Sequence, residues 1–276
     1  MQQPVVIFSD LDGTLLNRGE YRFDAAEPAL KELRNRNIPL VLVSSKTAPE
    51  MRLLTGALNN TDPFACENGS LIMMPTERMD ELGVAVDERM ISDGYYYNYR
   101  GIDREQILQV LNDLKPDYHF TGFAWMTDEE IAQATGLSLE LAQLAGQRKS
   151  SEPILWRDDP ENVGAFTEAV TRNKLRVIQG GRFYHVLGQC DKGDAVASLL
   201  PCYEHLYKTK PHCVVLGDSP NDVPMLALAD TAILMPRENG EYLEHEALAN
   251  AVRAPKPGPE GWSAAVLQLL NELAGC

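Results

Sequence analysis

The stretch Val5-Val6-Ile7-Phe8-Ser9-Asp10-Leu11-Asp12-Gly13-Thr14 decides the fold of this chain. It begins with a short apolar run of the length that is typical of a buried strand. It ends with two carboxylates two residues apart, followed by a glycine. In open parallel sheets, ligands bind beyond the carboxyl ends of the strands. We therefore expect Asp10 and Asp12 to lie at a ligand-binding edge of a sheet.

Two later apolar runs also end in polar residues. Residues 38–43 lead into Ser44-Ser45-Lys46, and residues 213–216 lead into Gly217-Asp218-Ser219-Pro220-Asn221-Asp222. Helical patterns separate the runs; one of them opens with the capping signature Thr47-Ala48-Pro49-Glu50. Strands that alternate with helices predict parallel pairing and right-handed crossovers. Three strands would then deliver carboxylates and hydroxyls to one edge of one sheet.

Further elements of the same kind are predicted on both sides of these runs. A capping box of Asp24 and Glu27 predicts a helix start, and the chain after residue 190 returns to the same alternation. The remaining elements are a helix over 191–207, a helix over 220–228, a strand over 231–235 and a helix over 261–273 that follows a proline-rich, non-helical segment at 255–259.

The middle of the chain has a different pattern. Two strand candidates at 175–179 and 183–187 are separated by Gly180-Gly181-Arg182, which predicts a hairpin. An antiparallel element between two parallel halves indicates an inserted domain. We predict an α/β protein with a Rossmann-like core, a mostly parallel sheet and an inserted α+β domain. The predicted divisions are 1–82 for the first part of the core, 83–188 for the insertion and 189–276 for the second part.

The predicted carboxylate cluster needs a cation, because the negative groups repel one another. Oxygen ligands without His or Cys favour Mg²⁺, and a Mg²⁺ site with an open face favours phosphate chemistry. Lys192 at a predicted helix start and Lys46 are candidates to neutralise a phosphoryl group. Each motif by itself is typical of a turn or of a surface charge. Together, four motifs in this order favour a functional site over unrelated turns and surface charges.

Composition and charge exclude several classes of partner. The chain has 276 residues and a formal net charge of −15, which argues against nucleic acid as a partner. No apolar run approaches the roughly 20 residues that span a bilayer, so no membrane partner is expected. The five cysteines are scattered without a C-x-x-C pair, which favours reduced thiols and a cytoplasmic location.

The motifs resemble those of the haloacid dehalogenase-like superfamily of phosphotransferases. Residues 10–14 resemble its first motif, Ser44 its second, Lys192 its third and residues 217–222 its fourth. Glu67-Asn68-Gly69 is similar to a signature of members whose large cap is inserted between the second and third motifs. The resemblance implies the same fold as the residue pattern, with the insertion as the cap.

A narrower resemblance covers nearly the whole chain. Ser44-Ser45-Lys46-Thr47 and four segments of the insertion are similar to mannosyl-3-phosphoglycerate phosphatases; the segments are 135–137, 147–148, 152–153 and 180–185. The resemblance implies a phosphatase that acts on a small phosphorylated sugar derivative.

The resemblance also implies the roles of the motif residues. Asp10 would be the nucleophile that forms an aspartyl-phosphate, and Asp12 would be the general acid and base. Ser44 and Lys192 would bind the phosphoryl oxygens.

The metal and the cap have implied residues of their own. Mg²⁺ would be bound by Asp10, the backbone carbonyl of Asp12, Asp218 and, directly or through water, Asp222. Lys46, Arg148 and Arg182 are the candidate cations for the organic part of the substrate. His185 alternates with Phe183, which leaves two positions open: it faces the cleft, or it has a hydrogen-bond partner elsewhere, and the second is expected.

Several alternatives stay open on the sequence. The same scaffold suits glucosyl-3-phosphoglycerate, a hexose phosphate or a broad range of small phosphates. A sugar phosphomutase shares the core chemistry. A non-catalytic phosphoacceptor module is disfavoured by the large insertion and by the presence of Asp12 and Lys192. The oligomeric state is left open.

Overall fold

The computed structural model describes residues 3–18, 21–85, 87–180 and 182–274. Its strands in chain order are β1 (Val5–Ser9), β2 (Leu40–Val43), β3 (Phe64–Cys66), β4 (Leu71–Pro75), β5 (Ile91–Ser92), β6 (Tyr95–Tyr99), β7 (Phe120–Gly122), β8 (Ser151–Trp156), β9 (Arg176–Gln179), β10 (Tyr184–Leu187), β11 (His212–Gly217), β12 (Thr231–Leu234) and β13 (Val252–Arg253). Its α-helices are α1 (Glu27–Asn35), α2 (Ala48–Leu58), α3 (Arg104–Leu114), α4 (Asp128–Thr135), α5 (Leu139–Gly146), α6 (Val163–Arg172), α7 (Lys192–Tyr207), α8 (Val223–Leu226) and α9 (Gly258–Ala274).

Nine of these strands form the large sheet, in the order β13-β12-β11-β1-β2-β3-β4-β6-β5. The strands from β13 to β3 pair in parallel, whereas β4, β6 and β5 extend the sheet with antiparallel pairs. In the register of the central strand, Phe8 lies between Val215 of β11 and Val41 of β2. The carboxyl ends of β11, β1 and β2 therefore meet at one edge, and the predicted α/β class is confirmed.

Alternate residues of β1 pack into two separate cores on the two faces of the large sheet. Ile7 belongs to the core that contains Trp262 of α9, and Phe8 to the core that contains Tyr203 of α7. A strand that is covered on both faces is apolar along its whole length, which explains the run of residues 5–8.

A second, small sheet is antiparallel, in the order β7-β8-β10-β9. Residues of α3 and α6 pack against it around Ile154, Phe166 and Val186. The predicted hairpin is present as β9 and β10, and Gly181 of its turn lies outside the described residues. Strands β5 and β6, at 91–99, pair with the large sheet, and the division at residues 82/83 and 188/189 stays a prediction.

Several local predictions hold and others need correction. The capping box predicted at Thr47 is present, and α4 begins with a second capping box at Thr127. The one predicted at Asp24 is wrong, because the Asp24 carboxylate accepts from Arg22 Nε at 2.8 Å and a 3₁₀ turn precedes α1. The predicted helix over 220–228 is a 3₁₀ turn at Pro220–Asp222 followed by the short α8.

The last helix begins earlier than predicted. α9 starts at Gly258, so Pro259 lies in its first turn, where a missing backbone N–H breaks no intrahelical hydrogen bond. Among the helices that the structure describes, none is long and apolar enough to cross a membrane.

Candidate active site

Asp10 lies at the carboxyl end of β1, at the centre of the large sheet. Its backbone N–H donates to the carbonyl of Leu216 at 3.0 Å, and the residue is 5% exposed. Lys192, the first residue of α7, is fully buried beside it. The Lys192 ammonium Nζ lies 2.5 Å from Asp10 Oδ1 and 2.6 Å from Asp222 Oδ1. Lys192 thus joins the residue after β1 to the turn that follows β11.

Asp222 holds the loop after β11 in shape. Its second oxygen, Oδ2, accepts from the backbone N–H of Asp218 at 3.0 Å, and from the backbone N–H and the hydroxyl of Ser219 at 2.9 and 3.0 Å. With Lys192 on Oδ1, both of its oxygens are engaged. The loop geometry brings oxygens of Asp10, Asp218 and Asp222 within 4.8 Å of one another.

Burial and the close approach of the carboxylates raise the pKa of Asp10 and of Asp218. Burial and the neighbouring Asp222 raise the pKa of Asp10 to about 8, against the opposing effect of Lys192. Burial and Asp222 likewise raise the pKa of Asp218 to about 6. The electrostatic attraction of Asp10 and Asp222 outweighs burial and raises the pKa of Lys192. Three carboxylates thus share one buried lysine, which offsets only part of their mutual repulsion.

This surplus of carboxylate oxygen fits a divalent cation. Asp218 Oδ1 is buried and, among the residues described, has no hydrogen-bond partner. Its other oxygen, Oδ2, contacts the guanidinium of Arg18. Gly13, at φ +93°, makes room for that contact, because a Cβ there would lie 2.7 Å from Asp218 Oδ2 and 2.6 Å from Arg18 Nε. A set of hard oxygen donors with one oxygen unengaged suits Mg²⁺ or a similar ion.

Asp12 lies on the open side of the same edge. Its carboxylate is 32% exposed and pairs with the Lys46 ammonium at 3.0 Å. Lys46 also lies 3.8 Å from Glu50 and 4.5 Å from the ring centroid of Tyr21. The predicted phosphate-neutralising charge of Lys46 is therefore paired with Asp12 in this structure.

Ser44 follows β2 and is 1% exposed. Its hydroxyl accepts from the backbone N–H of Lys46 at 3.2 Å, and its carbonyl accepts from the backbone N–H of Asn68 at 2.9 Å. It therefore lies at the same sheet edge as Asp10, one strand away.

A cleft separates this edge from the small sheet and its helices. It is lined on both sides by polar and aromatic groups. The large-sheet side contributes Asp10, Asp12, Arg18, Tyr21, Ser45, Lys46, Glu50, Ser219 and Asn221, and the other side contributes Phe123, Thr135, Leu137, Ala145, Arg148, Pro153, Gly180, Arg182, Phe183 and His185.

The two predicted arginines differ in their surroundings. Arg148 is 6% exposed and donates to the carbonyl of Ser45 at 2.5 Å and to the hydroxyl of Ser151 at 3.0 Å. Arg182 is exposed and donates to the carbonyl of Ala134 at 3.4 Å. Arg148 is thus held by the protein itself, whereas Arg182 is the freer cation on the cleft wall. The substrate-binding roles of both stay predictions.

Glu67 joins the large sheet to the start of β8. Its buried carboxylate accepts from the backbone N–H groups of Lys149 and Ser150 at 2.9 and 3.1 Å and from the Ser151 hydroxyl at 2.6 Å. The next residue, Asn68, accepts from the side chain of Asn221 at 3.0 Å. The Glu67-Asn68-Gly69 signature therefore sets where the small sheet sits over the site.

Three charged or aromatic residues of the cleft are not indicated by the sequence motifs. Arg18 and Tyr21 carry no motif signal of their own, and the only signal of Glu50 is that of its capping box. The expectation that His185 finds a partner elsewhere is wrong, because its Nδ1 is buried without a hydrogen-bond partner among the described residues. Its alternation with the cleft-lining Phe183 was the signal available in the sequence.

Comparison with known proteins agrees with this geometry. The family model of haloacid dehalogenase-like hydrolases matches residues 7–247. A protein of Persephonella marina described as a glucosyl-3-phosphoglycerate/mannosyl-3-phosphoglycerate phosphatase is 36% identical over 274 residues, which are 99% of this chain and 100% of that protein.

Solved structures show the same fold at low sequence identity. A Thermoplasma acidophilum protein has a TM-score of 0.66 at 16% identity and covers 99% of both chains. A haloacid dehalogenase-like hydrolase from B. subtilis has a TM-score of 0.62 at 15% identity, over 97% of this chain and 99% of that chain. The predicted class of enzyme, a phosphoric monoester hydrolase, is confirmed by the family and the relative together. The carboxylate cluster at the sheet edge and the match to the family model agree. The chain belongs to the haloacid dehalogenase-like hydrolase family.

Proposed function

We propose that this protein is a Mg²⁺-dependent phosphatase that hydrolyses mannosyl-3-phosphoglycerate to mannosylglycerate through an aspartyl-phosphate on Asp10. The observation that carries the proposal is the position of Asp10, which is buried against Lys192 yet lines the cleft together with Asp12. The full-length relative from Persephonella marina supports the choice of substrate.

In the first step, a carboxylate oxygen of Asp10 attacks the phosphorus atom and the bond from phosphorus to the sugar-derived oxygen breaks. Asp12 donates a proton to that leaving oxygen. Its partly exposed carboxylate, two residues from Asp10, faces the cleft where the leaving group would lie. Lys192 and Ser44 would hold phosphoryl oxygens and stabilise the charge of the transition state.

In the second step, Asp12 accepts a proton from a water molecule as that water attacks the phosphorus of the aspartyl-phosphate. The bond between phosphorus and Asp10 breaks, and inorganic phosphate leaves with Asp10 restored. Two displacements replace one difficult hydrolysis, which is the gain of covalent catalysis. Lys46 pairs with Asp12 at 3.0 Å and would keep its carboxylate oriented between the two proton transfers.

Asp10, Asp218 and the backbone carbonyl of Asp12 would hold the metal, with Asp222 acting directly or through water. When bound, Mg²⁺ shields the anionic nucleophile from the anionic phosphate. The unengaged Asp218 Oδ1 supports this assignment.

A substrate with a carboxylate and a phosphate needs cations in the cleft, since the protein carries a net charge of −15. Arg18 and Arg182 line opposite sides of the cleft, and Arg18 is about one third exposed. Both are able to pair with a carboxylate through two parallel hydrogen bonds. We assign them to the carboxylate end of the substrate. The predicted candidates Lys46 and Arg148 line the same cleft, where Lys46 is paired with Asp12 and Arg148 donates to backbone carbonyls.

Glucosyl-3-phosphoglycerate is the second candidate substrate, because the description of the Persephonella marina relative names both sugars. The two compounds differ in the orientation of one sugar hydroxyl group, so the residues around the phosphate do not distinguish them. A substrate panel does.

The test is phosphate release from mannosyl-3-phosphoglycerate, its glucosyl analogue and several hexose phosphates, with and without EDTA. We expect preference for the glycosyl-3-phosphoglycerates, loss of activity in EDTA and recovery with Mg²⁺. Asp10→Asn and Asp12→Asn are expected to lose turnover, whereas Asp113→Asn, on the exposed surface of α3, serves as the matched control. Full activity of Asp10→Asn would show that Asp10 is not the nucleophile. Activity on hexose phosphates alone would show that the proposed substrate is wrong.

A further inference from the structure

His185 is placed on the wall of the cleft by the alternation of β10. Its neighbours along the strand, Tyr184 and Val186, pack into the core on the other face of the small sheet. Across the sheet His185 pairs in register with Pro153 of β8, which also lines the cleft. The imidazole therefore belongs to the surface that covers the substrate, opposite Asp10 and Asp12.

The imidazole lacks the partner that a buried polar group requires. The residue is 7% exposed, and its Nδ1 has no hydrogen-bond partner within the described part of the chain. The great majority of buried side-chain polar atoms are hydrogen-bonded. An exception on a ligand-binding wall indicates that a ligand supplies the missing partner.

Gly180 makes room for this ring. A Cβ at residue 180 would lie 3.0 Å from His185 Nε2 and 3.2 Å from its Cδ2. Gly180 does not have a positive φ, so its backbone conformation does not itself demand glycine. Glycine at residue 180 therefore serves to leave space beside the imidazole.

The charge state of the ring narrows the kind of ligand. Burial, together with the positive charges of Arg148 and Lys192, lowers the pKa of His185 to about 3. The ring is therefore neutral in the physiological range, with one nitrogen as donor and the other as acceptor. A neutral ring of this kind matches a hydroxyl group, which also donates and accepts, better than it matches a carboxylate or a phosphate.

We propose that His185 is a specificity-determining residue that hydrogen-bonds a hydroxyl group on the organic part of the substrate. The inference rests on the proposed function, in which the cleft takes a phosphorylated sugar derivative. The phosphate end is held by Lys192 and its neighbours, and His185 contacts the part of the molecule that differs between substrates.

The experiment compares a sugar substrate with 4-nitrophenyl phosphate, which has no sugar hydroxyl. The measured quantity is the ratio of kcat/KM for mannosyl-3-phosphoglycerate to kcat/KM for 4-nitrophenyl phosphate. For His185→Leu we expect this ratio to fall by about tenfold or more, the effect of leaving a hydroxyl without its buried partner. For His185→Asn, whose amide keeps a polar atom near the position of Nδ1, we expect a smaller fall.

Two further variants separate specificity from a general structural effect. Gly180→Ala keeps the imidazole but crowds it, and we expect the ratio to fall in this variant also. His119→Leu makes the same substitution at an exposed position next to β7, outside the cleft, and we expect the wild-type ratio. If His185→Leu does not fold, His185→Asn and Gly180→Ala decide the question.

A wild-type ratio in His185→Leu, or an equal fall in the Leu and Asn variants, would overturn the proposal for His185. If the wild-type protein prefers another phosphorylated sugar, the proposed substrate is wrong, and the same ratio taken with the preferred compound still decides the role of His185. If it hydrolyses no phosphate ester in the presence of Mg²⁺, the proposed function and the role of His185 both fall.

Discussion

Replacing the proposed nucleophile is expected to stabilise the metal-free protein while it abolishes turnover. Asp10 is buried beside the carboxylates of Asp222 and Asp218, and these surroundings raise its pKa from 3.8 to about 8. Asp10→Asn keeps the shape of the side chain and an oxygen that accepts from Lys192. It removes the charge that burial and repulsion disfavour.

The magnitude follows from the raised pKa. A shift of one pKa unit corresponds to about 1.36 kcal/mol, and pH 7 lies roughly three units above the ordinary pKa of an aspartate, so folding at pH 7 costs about 4 kcal/mol for this group. The pKa of about 8 already includes the opposing attraction of Lys192, and Lys192 keeps Asp222 as its partner in the Asn variant. We expect a net gain of about 2–4 kcal/mol in the free energy of unfolding.

The sign of the pH dependence is definite. An acid whose pKa is raised by folding destabilises the folded state increasingly as the pH rises from the unfolded value towards the folded one. The advantage of Asp10→Asn over the wild type should therefore be small near pH 4 and reach its full size near pH 8.

The assay is urea denaturation of the wild type and Asp10→Asn in EDTA at pH 5, 6, 7 and 8, with phosphate release measured in parallel. Asp113→Asn is the control, since its exposed carboxylate on α3 should change stability by less than about 0.5 kcal/mol. A less stable Asp10→Asn protein at pH 7 and 8 would refute the reasoning that burial and repulsion dominate at Asp10.

Three further substitutions test other parts of the structure. Lys192→Met leaves two buried carboxylates without their cation, so we expect a loss of about 3–5 kcal/mol in unfolding free energy and of at least about a hundredfold in kcat; wild-type kcat would contradict the assignment. Glu67→Gln weakens the bonds to residues 149–151, with an expected loss of about 2 kcal/mol in urea denaturation, and unchanged stability would show that the carboxylate charge is not needed there. Thr127→Ala removes the capping box of α4 at a residue that does not line the cleft, and it should cost about 1 kcal/mol without changing phosphate release. Reduced release would mean that the start of α4 influences the reaction.

The parallel core was predictable because its signals are local. Residues 5–8 are all apolar because the strand is covered on both faces. Thr47 and Glu50 are three residues apart, and the side chain of each accepts a hydrogen bond from the backbone N–H of the other. The prediction at Asp24 failed for an equally local reason. A nearby Arg22 competes for the carboxylate that the capping box needed.

The insertion was predictable in kind but less so in extent. The hairpin of β9 and β10 has the glycine-containing turn and the alternation that predict it. The pairing of β6 with β4 joins residues twenty or more positions apart, and no periodicity within either strand indicates which partner it takes. For that reason the sequence predicted an antiparallel element in the middle of the chain without assigning β5 and β6 to the large sheet.

By itself, the sequence determined the class of the fold, the order of its motifs and the cluster of carboxylates at one sheet edge. The carboxyl ends of parallel strands lie along the same edge of a sheet, whatever the course of the chain between the strands. Only the tertiary structure decided the pairings between those side chains. Arg18 reaches Asp218 across 200 positions of sequence, and Lys192 reaches Asp10 across 182. It likewise decided that Arg148 is held by the protein and that His185 lies on the cleft wall, where its Nδ1 has no partner among the described residues. A partner that is distant in sequence is chosen by packing in three dimensions, which no local pattern encodes.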